Sequence, residues 1–163
     1  MATSKPNQLA AFEGRWHLVR RIEDYTGGPA GHMDGDAVFR AEGAGLHYRE
    51  TGLLRLANNP PIRAERSYLW TQPDPARIEV CFSDGRPFHW FSLQDAPEAA
   101  HFCDPDMYRV HYAFTDWPNW RSVWCVTGPR KDYRMITEYA PLALGSGMGD
   151  TDMQTVVADG RGA

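Results

Sequence analysis

The stretch of residues 14–22, GRWHLVRRI, alternates apolar and polar side chains in the manner of a half-buried β-strand. If Trp16 points inward, then Leu18, Arg20 and Ile22 point inward as well, because side chains alternate between the two faces of a strand. An arginine on the inward face needs a partner, since burying an unpaired charge is costly. The stretch therefore predicts the wall of a β structure whose interior is not purely apolar.

Similar alternation recurs along the chain between clusters of turn-forming residues. The pair Asp84-Gly85 is typical of a tight turn between antiparallel strands. A short helical turn is expected at Gln8–Glu13, before the first strand. The predicted strands are Arg15–Asp24, Gly35–Ala41, Leu46–Arg55, Arg63–Thr71, Arg77–Phe82, Phe88–Leu93, Ala99–Cys103, Tyr108–Phe114, Arg121–Thr127 and Tyr133–Tyr139. They predict an all-β fold, a closed antiparallel up-and-down β-barrel of about eight to ten strands without exposed edges.

Length and composition indicate one globular domain. The chain has 163 residues, of which 42% are hydrophobic and 23% charged, as in an average soluble protein. We assign residues 1–144 to the barrel. Residues 145–163 are rich in glycine and contain no aromatic residue, so we interpret them as a flexible C-terminal tail, with an added edge strand as the alternative.

Charge and sequence composition exclude several classes of protein. A net charge of −4 argues against a nucleic-acid binder, which needs a basic surface. No apolar run approaches the ~20 residues of a membrane span. The start of the chain lacks the cationic and apolar regions of a secretory signal, so a cytoplasmic location is expected. Three cysteines without C-x-x-C spacing predict neither a disulfide framework nor a zinc cluster.

The Gly14-Arg15-Trp16 sequence after a helical turn resembles the Gly-x-Trp start of lipocalins and related calycin barrels. More widely, the chain resembles an uncharacterised family of bacterial lipocalin-like proteins. The segments that carry this resemblance are residues 12–16, 48–52, 66–70, 82–89, 101–108 and 128–133. The resemblance implies a barrel whose floor is closed by Trp16. That family brings no established activity, so the resemblance implies the fold alone.

Alternation places several charged and phenolic side chains on strand faces that are rich in aromatic residues. The predicted ligand-binding residues are Arg20, Tyr48, Glu50, Arg66, Tyr68, His89, Tyr108, Tyr112, Trp124 and Tyr139. Two arginines against one glutamate leave a surplus positive charge, which a ligand carboxylate or phosphate would neutralise. The predicted partner is therefore a small hydrophobic or aromatic anion. A closed salt-bridge network that fills the barrel is the alternative.

Three functions remain open at this point. The leading hypothesis is a lipocalin-like barrel that binds a small, partly apolar anionic molecule. The second is an enzyme acting on an aromatic carboxylic acid, by analogy of architecture with phenolic acid decarboxylases, in which a buried glutamate with a raised pKa donates a proton. The third is a filled barrel that serves as an interaction scaffold. No catalytic residue is assigned, and both a monomer and a homodimer remain open.

We predict no metal and no cofactor. His101 and Cys103 alternate onto one strand face, but a tetrahedral metal site needs further donors and His89 is the only plausible one from a neighbouring strand. A haem-binding barrel of the nitrobindin kind would need a histidine near the C-terminus, whereas the last histidine is His111.

Overall fold

The elements follow the predicted order along the chain. The structure, a computed structural model, describes residues 5–142 and 155–157. A 3-10 turn (Leu9–Phe12) comes first. The strands are β1 (Gly14–Asp24), β2 (Gly31–Glu42), β3 (Gly45–Leu56), β4 (Ile62–Asp74), β5 (Arg77–Phe82), β6 (Pro87–Ser92), β7 (Glu98–Cys103), β8 (Asp106–Ala113), β9 (Trp120–Thr127), β10 (Asp132–Pro141) and β11 (Thr155–Val157).

Strands β1 to β10 form one antiparallel, nearly closed barrel. Their order is β6-β5-β4-β3-β2-β1-β10-β9-β8-β7. Strands adjacent in the chain are therefore adjacent in the sheet, and pairing of β1 with β10 joins the two halves of the meander. The two strands at the ends of the order, β6 and β7, contact each other. The predicted all-β up-and-down barrel is confirmed.

Strand β2 begins four residues earlier than predicted, at Gly31 instead of Gly35. Gly35 lies opposite Gly52 of β3. A Cβ at Gly35 would collide with the carbonyl oxygen of Thr51, and a Cβ at Gly52 would lie 2.5 Å from the carbonyl oxygen of Asp34. The two glycines therefore permit a close backbone approach, of the kind that marks a tight bend in a barrel.

Aromatic rings close one end of the barrel, which we call the floor. Phe12 from the 3-10 turn is fully buried and contacts the rings of Phe39, Trp117 and Trp120. Trp16 at the start of β1 is 4% exposed, and its indole N–H donates a 2.9 Å hydrogen bond to the carbonyl oxygen of Phe12. The structure therefore places Trp16 in the floor, as predicted.

The last part of the chain is only partly described. Of the predicted tail, residues 145–163, the structure describes only the backbone of Thr155–Val157, which pairs in parallel with β4. The rest of that prediction lies outside the described residues. Among the helical residues that are described, none forms a helix long and apolar enough to cross a membrane.

Replacing Trp16 with alanine should lower the free energy of unfolding by about 3–5 kcal/mol, because a large buried ring and its hydrogen bond are lost together. Urea denaturation measures the difference. Trp90 is the matched control because its side chain is 57% exposed on β6, and Trp90→Ala should cost no more than about 1 kcal/mol. Equal costs for the two variants would contradict the role of Trp16 in the floor.

Candidate functional site

A buried ion pair joins β1 to β3 inside the barrel. Arg20 donates hydrogen bonds of 2.7 and 2.9 Å to the two carboxylate oxygens of Glu50. Its remaining Nε–H donates to the hydroxyl of Thr137 on β10 at 2.8 Å. The side chains of Arg20 and Glu50 are only 9% and 3% exposed. This bidentate geometry, with a further partner for the guanidinium, is what a buried ion pair needs to offset its desolvation.

The charges of the pair determine its protonation. Burial by itself would raise the pKa of Glu50, but the adjacent Arg20 guanidinium holds that pKa below its ordinary value. Burial would likewise lower the pKa of Arg20, yet Glu50 keeps it above its ordinary value. Both groups are therefore charged at neutral pH, and their charges cancel.

Two tyrosines extend the polar network from Glu50. The hydroxyl of Tyr48 lies 2.5 Å from a Glu50 carboxylate oxygen and 3.1 Å from the hydroxyl of Tyr139. Ser122 on β9 is hydrogen-bonded through its side chain to Tyr139. Burial raises the pKa of Tyr48 well above its ordinary value and that of Tyr139 to about 12, so both phenols keep their protons at neutral pH.

Arg66 is the second cation of the interior. It lies directly opposite Glu50 in the β3–β4 ladder. Its charge lowers the pKa of Glu50, but the carboxylate oxygens of Glu50 are bonded to Arg20 and Tyr48 instead. Among the described residues, no carboxylate lies within 4 Å of the Arg66 guanidinium, and the side chain is half-buried. Arg66 therefore carries the surplus charge that the sequence predicted.

A cavity lies between these groups. The centre of a water molecule can occupy about 50 Å³ of it, and the empty space reaches about 480 Å³ when the part that is open to solvent is included. Its lining consists of Arg20, Tyr48, Glu50, Arg66, Tyr68, Trp70, Val80, Phe88, His89, Tyr112, Trp120, Ser122, Trp124, Met135 and Tyr139. The barrel is therefore neither completely filled nor widely hollow.

All the predicted ligand-binding residues except Tyr108 line this cavity. Tyr108 is buried on β8, but its hydroxyl accepts a 3.2 Å hydrogen bond from Lys131, which also lies 3.0 Å from Asp106. This contact ties Tyr108 to the loop between β9 and β10. Alternation along β8 placed Tyr108 on the inward face, but it could not show at which height of the barrel the cavity lies.

The cavity also has walls that the predicted set of residues omitted. Trp70, Trp120, Ser122 and Met135 occupy the same strand faces as predicted site residues, so alternation was the signal that pointed to them. Phe88 had no such signal. The register between β5 and β6 shifts near Val80, and Phe88 and the adjacent His89 are both buried. Such a bulge breaks strict alternation.

His89 is an uncharged group in the wall. Its Nε2 lies 2.8 Å from the hydroxyl of Tyr112, whereas its Nδ1 has no partner among the described residues. Burial, aided by the nearby His101, lowers the pKa of His89 to about 3. The cavity therefore contains two cations, one anion and neutral aromatic groups.

The donors considered for a metal do not form a site. The ring of His101 packs against Phe88 and Phe82 at centroid distances of 5.3 and 6.0 Å, whereas Cys103 is exposed. Within residues 5–142 and 155–157, no three histidine, cysteine or acidic side chains are grouped as metal ligands would be.

Comparison with known proteins identifies the family and the fold. A family model described as a family of unknown function (DUF6314) matches residues 12–141, which include the whole barrel. The chain belongs to this family. No curated protein matches the chain.

One solved structure with a similar fold is the S-type phycobiliprotein lyase CPES from Guillardia theta. The similarity has a TM-score of 0.62 and covers 84% of this chain and 92% of the lyase. The two sequences are 9% identical. At this identity the similarity shows that this member of the DUF6314 family shares the barrel fold of that lyase.

Removing one partner of the buried ion pair should destabilise the protein strongly. Arg20→Leu leaves the Glu50 carboxylate buried without its counter-charge, so the free energy of unfolding should fall by about 3–5 kcal/mol. Adding Glu50→Gln removes the unpaired charge and should restore much of the loss. Denaturant melts of the single and double variants measure this coupling. Independent, additive losses would show that the two side chains do not act as a pair.

The depressed pKa of His89 predicts loss of stability in mild acid. Below its ordinary value of 6.5 the imidazole takes up a proton in the unfolded chain, but in the folded barrel it does so only at about 3. The unfolded state therefore binds more protons in this interval, so stability falls as the pH decreases. Between pH 7.5 and about pH 4.5 the loss assigned to His89 is about 2–3 kcal/mol.

Thermal melts of wild type and His89→Gln over this pH range separate His89 from other groups. Glu50 has a lowered pKa, so it contributes to acid loss only at lower pH. The variant should show a shallower dependence of stability on pH. Parallel profiles would mean that His89 is protonated in the folded protein.

Proposed function

We propose that this barrel binds a small, partly apolar molecule that carries a single negative charge, and that Arg66 is its counter-charge. The supporting observation is the charge balance of the cavity. Arg20 and Arg66 supply two positive charges and Glu50 one negative charge, and both oxygens of Glu50 are bonded to Arg20. A guanidinium with free donors beside a cavity is suited to bidentate binding of a carboxylate.

The walls favour an aromatic or otherwise planar body for the ligand. Tyr68, Phe88 and Trp124 line the cavity on strands β4, β6 and β9. Phe88 stacks on Trp124 at a centroid distance of 5.0 Å and packs beside Tyr68 at 5.7 Å. Such apolar walls with a few convergent polar groups are the usual composition of a small-molecule site.

The volume limits the size of the ligand. A cavity of about 50 Å³ holds roughly three to five water molecules, whereas an apolar cavity of about 150 Å³ is known to accept benzene. The enclosed part therefore suits a charged head group or part of a ring. An aromatic acid would also have to occupy the space that is open to solvent.

The protonation states support a binding role more than the alternative enzymatic one. Decarboxylase-like chemistry would need a buried glutamate with a raised pKa, so that it can donate a proton. The pKa of Glu50 is lowered instead, and its oxygens are occupied by Arg20 and Tyr48. Glu50 is better suited to fixing the structure of the cavity than to transferring protons.

Arg66→Leu should weaken binding of benzoate or octanoate at least about tenfold, because the variant keeps much of the side-chain volume but loses the charged donors. Quenching of tryptophan fluorescence can follow binding, since Trp70, Trp120 and Trp124 line the cavity. Stability without ligand should change by less than about 1 kcal/mol, because Arg66 leaves no buried carboxylate unpaired.

Arg109→Leu is the matched control, since Arg109 is exposed on β8. Its affinity for both acids should equal that of the wild type. If neither acid binds to the wild type, or if Arg66→Leu binds as tightly as Arg109→Leu, the proposed function is wrong.

A further inference from the structure

The hydrogen-bond chain that starts at Glu50 can run in one direction only. Because Glu50 is an ionised carboxylate held by Arg20, its oxygens can accept hydrogen bonds but not donate them. Tyr48, 2.5 Å away, must therefore donate its single hydroxyl hydrogen to Glu50.

The same argument fixes the next two groups. Tyr48 has no second hydrogen, so the 3.1 Å contact between the phenols must be a donation from Tyr139 to Tyr48. Tyr139 in turn has used its hydrogen, so the hydrogen bond between Tyr139 and Ser122 must be donated by Ser122. The Ser122 hydroxyl is therefore left with only lone pairs for any other partner, and it can act there only as an acceptor.

Ser122 and Arg66 face each other across the cavity. Ser122 is on β9 and Arg66 on β4, which are five positions apart in the order of ten barrel strands. In a nearly closed barrel of ten strands, five positions correspond to opposite walls. Both residues line the same cavity, and Ser122 is 3% exposed.

We propose that Ser122 is a specificity-determining residue that accepts a hydrogen bond from the ligand, so that the preferred ligand is a hydroxylated aromatic monocarboxylate. The carboxylate binds Arg66 on one wall, and the hydroxyl group on the far side of the ring donates to Ser122 on the opposite wall. This inference rests on the proposed function, and it adds the chemical class of the ligand. A ligand that offers only an acceptor at this position leaves the lone pairs of Ser122 unmatched.

Three probes of similar shape test this inference: benzoate, 4-hydroxybenzoate and 4-methoxybenzoate. The hydroxyl group can donate, the methoxy group can only accept, and benzoate can do neither. Wild type should bind 4-hydroxybenzoate about three- to tenfold more tightly than the other two, the range expected for one net hydrogen bond. Isothermal titration calorimetry or tryptophan fluorescence gives the affinities.

Two variants separate hydrogen-bond direction from shape. Ser122→Ala should reduce the preference for 4-hydroxybenzoate over benzoate to within about twofold, since the acceptor is gone. Tyr139→Phe frees the hydroxyl hydrogen of Ser122, so 4-methoxybenzoate should gain on 4-hydroxybenzoate relative to wild type. Ser67→Ala, on the outer face of β4, is the matched control and should keep the wild-type preference.

The outcomes distinguish the two proposals. If none of the three acids binds to wild type, the proposed function fails and this inference fails with it. If all three bind with equal affinity and need Arg66, or if Ser122→Ala keeps the full preference in a variant that melts like wild type, then only the role of Ser122 is wrong.

Discussion

The polar interior of this barrel depends on the ion pair between Arg20 and Glu50. An arginine and a glutamate so far from water would each be costly alone, and their bidentate contact makes the burial tolerable. The pair also joins β1 to β3 across the intervening strand β2, because its side chains meet inside the barrel. Since Glu50 stays ionised, every hydroxyl that leads away from it has a fixed hydrogen-bond direction.

The ion pair also explains why Arg66 remains available. The ladder places Arg66 directly opposite Glu50, so the backbone register alone would favour these two as partners. Arg20 occupies both carboxylate oxygens instead, with Thr137 completing its hydrogen bonds. The interior thus contains a closed network along one wall and a surplus cation on another. The closed network and the ligand pocket, which the sequence left as alternatives, are both represented in one cavity.

Belonging to the DUF6314 family and sharing the barrel fold of a phycobiliprotein lyase leave the ligand open. At 9% identity, two barrels of this kind keep the order of strands while the side chains of the interior are replaced. Evidence for a function must therefore come from this chain's own cavity. There the useful features are the charge balance, the aromatic walls and the direction of the hydrogen-bond chain that ends at Ser122.

The sequence by itself determined the class of fold and much of the interior. Period-2 alternation depends only on local backbone geometry, so it identified the strands and placed Arg20, Glu50 and Arg66 inside. It failed at Phe88, where a bulge brings two consecutive side chains inward, and it included Tyr108, which the Lys131 contact ties to a loop. Only the tertiary structure decided that Arg20, and not Arg66, binds Glu50. Alternation specifies the face on which a side chain lies, whereas the choice of partner depends on how ten strands curve around a common axis.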